Sequence, residues 1–224
     1  MTSYTTRAEY VDFHRHWFAS KPEIVRCRWV GIAEPIYQRY HDEEWGVPHA
    51  NDRAMFEKLV LEGFQAGLSW LTILKKRENF RRAFHGFDPE RIARYGAKDV
   101  ARLMADPGIV RNRLKVEATI DNARAMLKLS ARTSLARFIW GFLDGHPQIN
   151  SHRSFKGIPA ETPTSKAISK GLKAEGFRFV GPTTVYAFMQ STGMVNDHIV
   201  TCHRHAACAE LQRRFRAPAE RVSA

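Results

Sequence analysis

The chain has 224 residues, with 35 Lys and Arg against 23 Asp and Glu, a formal net charge of +12 and 44% hydrophobic residues. That length suits one large domain or two lobes sharing a core, and no run approaches the ~20 apolar residues of a membrane-spanning helix. The positive charge favours a polyanionic partner, because cations that neutralise phosphates release condensed counterions, while Cys27, Cys202 and Cys208 are too few and too scattered for a secreted disulfide framework.

Residues 1–23 read as an appended arm. Arg7, Glu9, Asp12, His14, Arg15 and His16 break up any apolar core a secretory signal would need, so a cytoplasmic location is expected. Beyond the arm helical periodicity dominates, without repeats or long alternating β patterns. Asn51-Asp52 is a cap ahead of Met55, Phe56, Leu59 and Val60 on one stripe. The spacing predicts a helix over 67–84, apolar at Leu68, Leu71 and Leu74 and basic in its later turns. Asp88-Pro89-Glu90 starts another, with Pro in the first turn. A short helix over 98–105 is broken by Asp106-Pro107-Gly108, and a longer one over 111–129 carries Val116, Ile120, Ala123 and Leu127 on one face. Leu135, Phe138, Ile139 and Phe142 form a further stripe, 165–174 and 183–191 complete the set, and 145–163 is the long loop. Amphipathic helices throughout imply an all-α fold around a shared core. The organisation expected is an extension at 1–23, the working unit at 24–208 and a basic tail at 209–224 with Arg213, Arg214 and Arg216.

Three constellations carry chemistry. Cys27 and His41 lie early, and His198 and Cys202 late, the latter pair spaced to share one face of a helical turn. Two cysteines and two histidines complete a structural zinc tetrahedron, leaving no open position for an activated water. On spacing alone, a buried cysteine with surface histidines fits as well, and His203, His205 and Cys208 are rival donors. Pro107-Gly108-Ile109-Val110, followed by Arg111, Asn112, Arg113 and Lys115, is a tight turn before a basic helix, which suits a phosphate. Its pattern fits a helix-hairpin-helix or a plain helix connection. Finally, Tyr37 to Pro48 contains Tyr40 and Trp45, and Leu61 to Trp70 places Glu62, Gln65, Gly67, Leu68 and Trp70 close together. Glu62 ends an apolar stripe that would draw it toward the core, where an acid needs a partner or a task. Taken singly, it also reads as a solvated helix acid, and the aromatics as core.

Cys27-Arg-Trp-Val30, Tyr40-His-Asp-Glu-Glu-Trp-Gly-Val-Pro48, Leu61-Glu-Gly-Phe-Gln-Ala-Gly-Leu-Ser-Trp70, Leu74-Lys-Lys-Arg-Glu-Asn79, Gly176-Phe-Arg-Phe-Val-Gly181 and Val195-Asn-Asp-His198 occur in that order. Together they resemble the constitutive bacterial 3-methyladenine DNA glycosylase I family, over about Cys27 to Cys202. The resemblance implies a helix-hairpin-helix glycosylase fold with a structural zinc on Cys27, His41, His198 and Cys202. It implies that Glu62 recognises the flipped base as the catalytic acid residue and that Tyr40 and Trp70 contact and stack on it. Trp45 and Tyr37 join them as substrate-binding candidates. The DNA-binding candidates are Gln65, Gly67 and Leu68, approaching the gap in the duplex, with Gly108, Arg111 and Arg113 on the backbone.

The chain departs from the family in one extra residue between Cys27 and Tyr37, and in Phe64 where the family has glutamine. The activity implied is monofunctional excision of 3-methyladenine from double-stranded DNA by a monomer, releasing the free base. No lysine is placed for a Schiff base, and no general base is identified. A zinc hydrolase, with three ligands and a water, and a non-catalytic zinc DNA-binding module are the competing readings.

Overall fold

The computed structural model describes residues 24–31 and 33–218. The predicted extension at 1–23 lies outside them, as does the end of the predicted tail. The helices are α1 (Pro35–Glu43), α2 (Asp52–Gln65), α3 (Trp70–Ala83), α4 (Pro89–Ile92), α5 (Ala97–Ala105), α6 (Arg113–Ser130), α7 (Leu135–Trp140), α8 (Pro163–Ala174), α9 (Pro182–Ser191) and α10 (His203–Arg214). None is long and apolar enough to cross a membrane.

The chain marks its own helix starts. Side-chain oxygens of Asn51, Ser69, Asp88, Asn112, Ser134 and Thr162 accept from backbone N–H groups in the first turns of α2, α3, α4, α6, α7 and α8. Proline stands in the first turn of α1, α4, α8 and α9, where its missing N–H costs nothing. α2 is the central helix: Met55, Phe56, Leu59, Val60, Leu61 and Phe64 are all buried, and α3, α6, α7 and α9 pack around it. Burial on nearly every side draws Glu62 and Lys58 into the interior as well.

Four sequence expectations change. The helix predicted from 67 starts at Trp70, because Gly67 (φ +83°) forms a turn and Ser69 is the cap. The helix predicted from 111 starts at Arg113, since Asn112 is its cap. The segment from His198 to Cys202 is a non-helical turn in which Cys202 N–H reaches Ile199 O at 2.8 Å, and Cys202 caps α10. Lastly, α10 runs through the boundary expected at 208. Ala209 and Gln212 are buried, and Gln212 Nε2 donates to the Gly46 and Gly193 carbonyls, so 209–214 pack as part of the folded unit. Within the predicted long loop, Gln148–Ile149 pairs in parallel with Val195–Asn196.

Gly193 locks this closure. It has φ +68°, and an added Cβ would run into the backbone at Pro48 N and Val47 C. Backbone cannot retreat as a side-chain tip can, so Gly193→Ala is expected to destabilise the protein by about 3 kcal/mol, read as a lower urea midpoint.

Candidate base pocket, metal centre and nucleic-acid face

Three helices each bring to one cavity a pair of residues three apart, which places both members on one face. Tyr37 and Tyr40 come from α1, Glu62 and Gln65 from the last turn of α2, and Ala187 and Gln190 from α9; Trp70 opens α3. These residues, with Trp29, Trp45, Phe155 and Ile158, line a cavity of about 230 Å³. Tyr37, Tyr40, Trp45, Glu62 and Trp70, which the sequence singled out, are therefore brought together. Gln65, expected at the DNA, lines the cavity as well. The sequence reading missed Trp29, Phe155, Ile158, Ala187 and Gln190 as cavity residues; Phe155 and Ile158 sit in the predicted loop, where periodicity carries no signal.

The aromatic walls are in contact. Tyr40 and Trp70 ring centres are 5.4 Å apart, Trp29 and Tyr37 4.8 Å, and Trp29 and Trp45 5.1 Å. The buried Trp70 Nε1–H meets no acceptor among the described residues. Lys58 Nζ lies 4.5 Å from the Tyr40 ring centre and 5.4 Å from that of Trp70. Glu44 accepts from Lys58 at 3.4 Å and from both Arg77 terminal nitrogens at 2.6 and 2.8 Å. Although burial opposes it, these cations hold the Glu44 pKa down to about 2. Glu62 is the reverse case. Only 4% exposed, it has its pKa raised by burial to about 7, with the Lys58 charge and the Ser191 hydroxyl opposing the rise. Among the described residues it is the sole carboxylate lining the cavity, and no lysine lines it.

Cys27, His41, His198 and Cys202 form a second, buried cluster whose donor atoms all lie within 4.8 Å of one another. Cys27 Sγ and Cys202 Sγ are 3.6 and 3.5 Å from His198 Nδ1, and Cys202 Sγ is 3.4 Å from His41 Nε2. The far ring nitrogens are also engaged: His41 Nδ1 with Asp42 Oδ1 at 2.8 Å, and His198 Nε2 with Trp45 O at 3.0 Å. Such outer partners fix which nitrogen faces a metal. Asp42 is itself held by Arg26 at 2.7–3.0 Å. The rivals His203 and His205 bond instead to the Val25 and Asn150 carbonyls, and Cys208 packs near Trp45 O.

The predicted DNA-facing residues fall on two adjoining segments. Leu68 is 44% exposed on the turn after α2, beside Gly67. Arg111 and Arg113 are exposed at the start of α6. Lys115, in the first turn of α6, joins the two: its Nζ donates to Phe64 O at 2.8 Å and Ala66 O at 2.6 Å. The Gly108 turn is pinned to α3 by Lys76 and Asn79, which donate to its carbonyls. One expectation is corrected here. The Gly108 N–H is not turned outward for a phosphate, because the Asp106 carboxylate accepts it at 2.7 Å.

The family model described as methyladenine glycosylase matches residues 29–205. DNA-3-methyladenine glycosylase 1 of Escherichia coli (strain K12) is 49% identical over 180 residues, spanning 80% of this chain and 96% of that protein. A crystal structure of a 3-methyladenine DNA glycosylase I superimposes with a TM-score of 0.78 at 52% identity, over 81% of this chain and 100% of that one. A variant of a 3-methyladenine DNA glycosylase I, solved in complex with 3-methyladenine, gives a TM-score of 0.77 at 38% identity, over 80% and 97% of the two chains.

Proposed function

The chain belongs to the methyladenine glycosylase family, and on that footing we propose that it extrudes 3-methyladenine from double-stranded DNA and hydrolyses its N-glycosidic bond, leaving an abasic site. The observation that carries this is the convergence of Glu62 with Tyr37, Tyr40, Trp45 and Trp70 on one cavity. A stacked base is out of reach of any side chain, so the nucleotide must leave the duplex first. Methylation at N3 gives adenine a positive charge. Against aromatic faces a flat cation gains stacking and cation–π attraction of about 0.5–2 kcal/mol. The Glu62 carboxylate complements that charge and accepts from the base edge, in bonds about twice as strong as neutral ones. Undamaged adenine is neutral and gains less.

The same charge makes the base a good leaving group. It departs as a neutral molecule, so no strong general acid is required. The protein's task is to steady an oxocarbenium-like sugar while water adds, and Glu62 supplies negative charge for it. No lysine is assigned a Schiff-base role, so the activity proposed is monofunctional. Incubation with methylated DNA, followed by chromatography of the freed bases, tests the reading: 3-methyladenine is expected in the supernatant, and its absence refutes it.

The four Cys/His donors suit zinc. Thiolate and imidazole are its preferred ligands, the separations match edges of a tetrahedron, and both imidazoles have outer partners. Bound there, zinc would supply a cross-link between the segment before α1, α1 itself and the start of α10. Four protein ligands leave no position for a reacting water, so the excision step is assigned to the pocket alone.

At the DNA, α5, the Gly108 turn and α6 act as the helix-hairpin-helix, with the α6 N-terminus and Arg111 facing a phosphate and the Gly67–Leu68 turn filling the gap the base leaves. Arg111→Ala and Arg113→Ala should each reduce the slope of log K against log salt by about 1, measured by anisotropy between about 50 and 200 mM salt. A slope unchanged in both would move the interface elsewhere.

A further inference from the structure

We infer that Gln190 is a specificity-determining residue of the base pocket: its carboxamide is locked with the oxygen toward the cavity, as an acceptor that reads a purine's exocyclic amine and turns away a carbonyl at the same position. The inference rests on the functional reading above and adds to it the means of telling adenine from six-oxo purines.

Gln190 lines the cavity from α9, one helical turn from Ala187. Its Nε2 donates to Asp197 Oδ2 at 2.7 Å. Asp197 is buried and is built to accept: Tyr186 Oη donates to the same oxygen at 2.7 Å, and Asn150 Nδ2 donates to Oδ1 at 2.7 Å. Both of its oxygens are already engaged as acceptors of these bonds. Turning the Gln190 amide over would therefore set its oxygen against the carboxylate, in a buried setting where unpaired polar contacts are costly. The N–H2 end is fixed toward Asp197, which leaves Oε1 for the cavity side. Among the described residues no donor reaches Oε1.

Gln65, which lines the cavity from α2, makes the contrast. Among the described residues no carboxylate bonds its amide, so it can present either end to a ligand. Gln190 cannot. With Glu62 also an acceptor, the cavity offers two acceptors to the edge of an incoming base. The exocyclic amine of adenine has two N–H donors to meet them. A six-oxo purine brings a carbonyl oxygen there and meets lone pairs.

Two bases that differ chiefly at that position, 3-methyladenine and 3-methylhypoxanthine, serve as ligands in a tryptophan-fluorescence titration of the full chain. Wild type should prefer 3-methyladenine, and Gln190→Met, near-isosteric but without the acceptor, should reduce that preference by about tenfold. Gln190→Leu serves if the methionine variant does not fold. Asp197→Asn tests the lock: its amide can accept or donate, so Gln190 is free to turn, and the preference should again fall although the Gln190 side chain is intact. Equal weakening for both bases, or no change in their ratio, overturns the inference and marks Gln190 as packing. Wild-type base release from methylated DNA is run alongside: if no 3-methyladenine appears, the functional reading fails and the inference goes with it; if it appears and the ratio is unmoved, the inference alone fails.

Discussion

Replacing Glu62 by glutamine is expected to lower 3-methyladenine release by about a hundredfold or more, as losses of preorganised electrostatic stabilisers do, while making the protein more stable above pH 7. The side chain keeps its shape and one acceptor oxygen and loses its charge, which is what the cationic base and the developing sugar cation use. The stability change has the opposite sign. Burial raises the Glu62 pKa to about 7, well above the range of an unfolded glutamate. Between those two values the folded protein holds a proton that the unfolded chain has released, so stability falls as pH rises through that window and stays lower above it. A neutral glutamine removes this penalty. Lys58, packed against the Tyr40 and Trp70 rings, then loses part of its compensating charge, so the net gain should be about 1–2 kcal/mol. The same titration predicts that kcat/KM of the wild type drops about tenfold per pH unit below pH 7, because the free enzyme must carry the carboxylate. Trp70→Ala should also lose excision, but it opens a core cavity and costs stability, so the glutamine variant isolates the charge. Full activity in Glu62→Gln, or a flat acid limb, would remove Glu62 from its assigned role.

Much of this pocket is legible only through the family resemblance, since taken singly Glu62 reads as a solvated helix acid and the aromatics as core. Asn51 marks the start of its helix in the sequence, whereas Ser69 falls inside the helix predicted from 67 and no helix is predicted over Pro35–Glu43, which carries Tyr37 and Tyr40 on one face. Phe155 and Ile158 enter from a segment with no period, so nothing local announces them. Gln190 stands beside Ser191 and Thr192 in a run of small polar residues, and its importance depends on Asp197 seven residues on, a pairing only the folded backbone makes. α10 escaped notice for another reason: Cys208, Ala209 and Gln212 are its whole buried set, too thin a stripe to register as amphipathic. The His198–Cys202 spacing led to the right partners through the wrong local geometry. A turn closed by Ile199 O brings the two side chains as near as a helical turn would have done. The Gly108 turn shows the limit of reading backbone from pattern, since Asp106, two residues earlier, captures the N–H that a phosphate was expected to take.

On the proposed zinc site, Cys202→Ala is expected to abolish zinc binding and to destabilise the chain by about 4 kcal/mol or more, a fall in Tm of about 10 °C for a protein of this size. The magnitude follows from what the cluster holds. Cys27 precedes α1, His41 lies on α1, and His198 and Cys202 lie between the short strand Val195–Asn196 and α10. α1 also supplies Tyr37 and Tyr40 to the cavity, and His198 Nε2 meets Trp45 O. Loss of the cross-link therefore loosens one wall of the base pocket as well as the closure between distant parts of the chain. In the variant the buried His41 and His198 lose Cys202 Sγ as a partner, at 3.4 and 3.5 Å in the wild type. Removal of the metal by a chelator should lower Tm to a similar degree, and re-addition of zinc should restore it in the wild type and not in the variant. A scaffold role for zinc predicts that the kcat of any variant that stays folded at low temperature falls far less than that of Glu62→Gln. The reverse outcome, a stable Cys202→Ala protein that is inactive until metal is supplied, would transfer the metal from scaffold to catalyst and reopen the zinc-hydrolase reading.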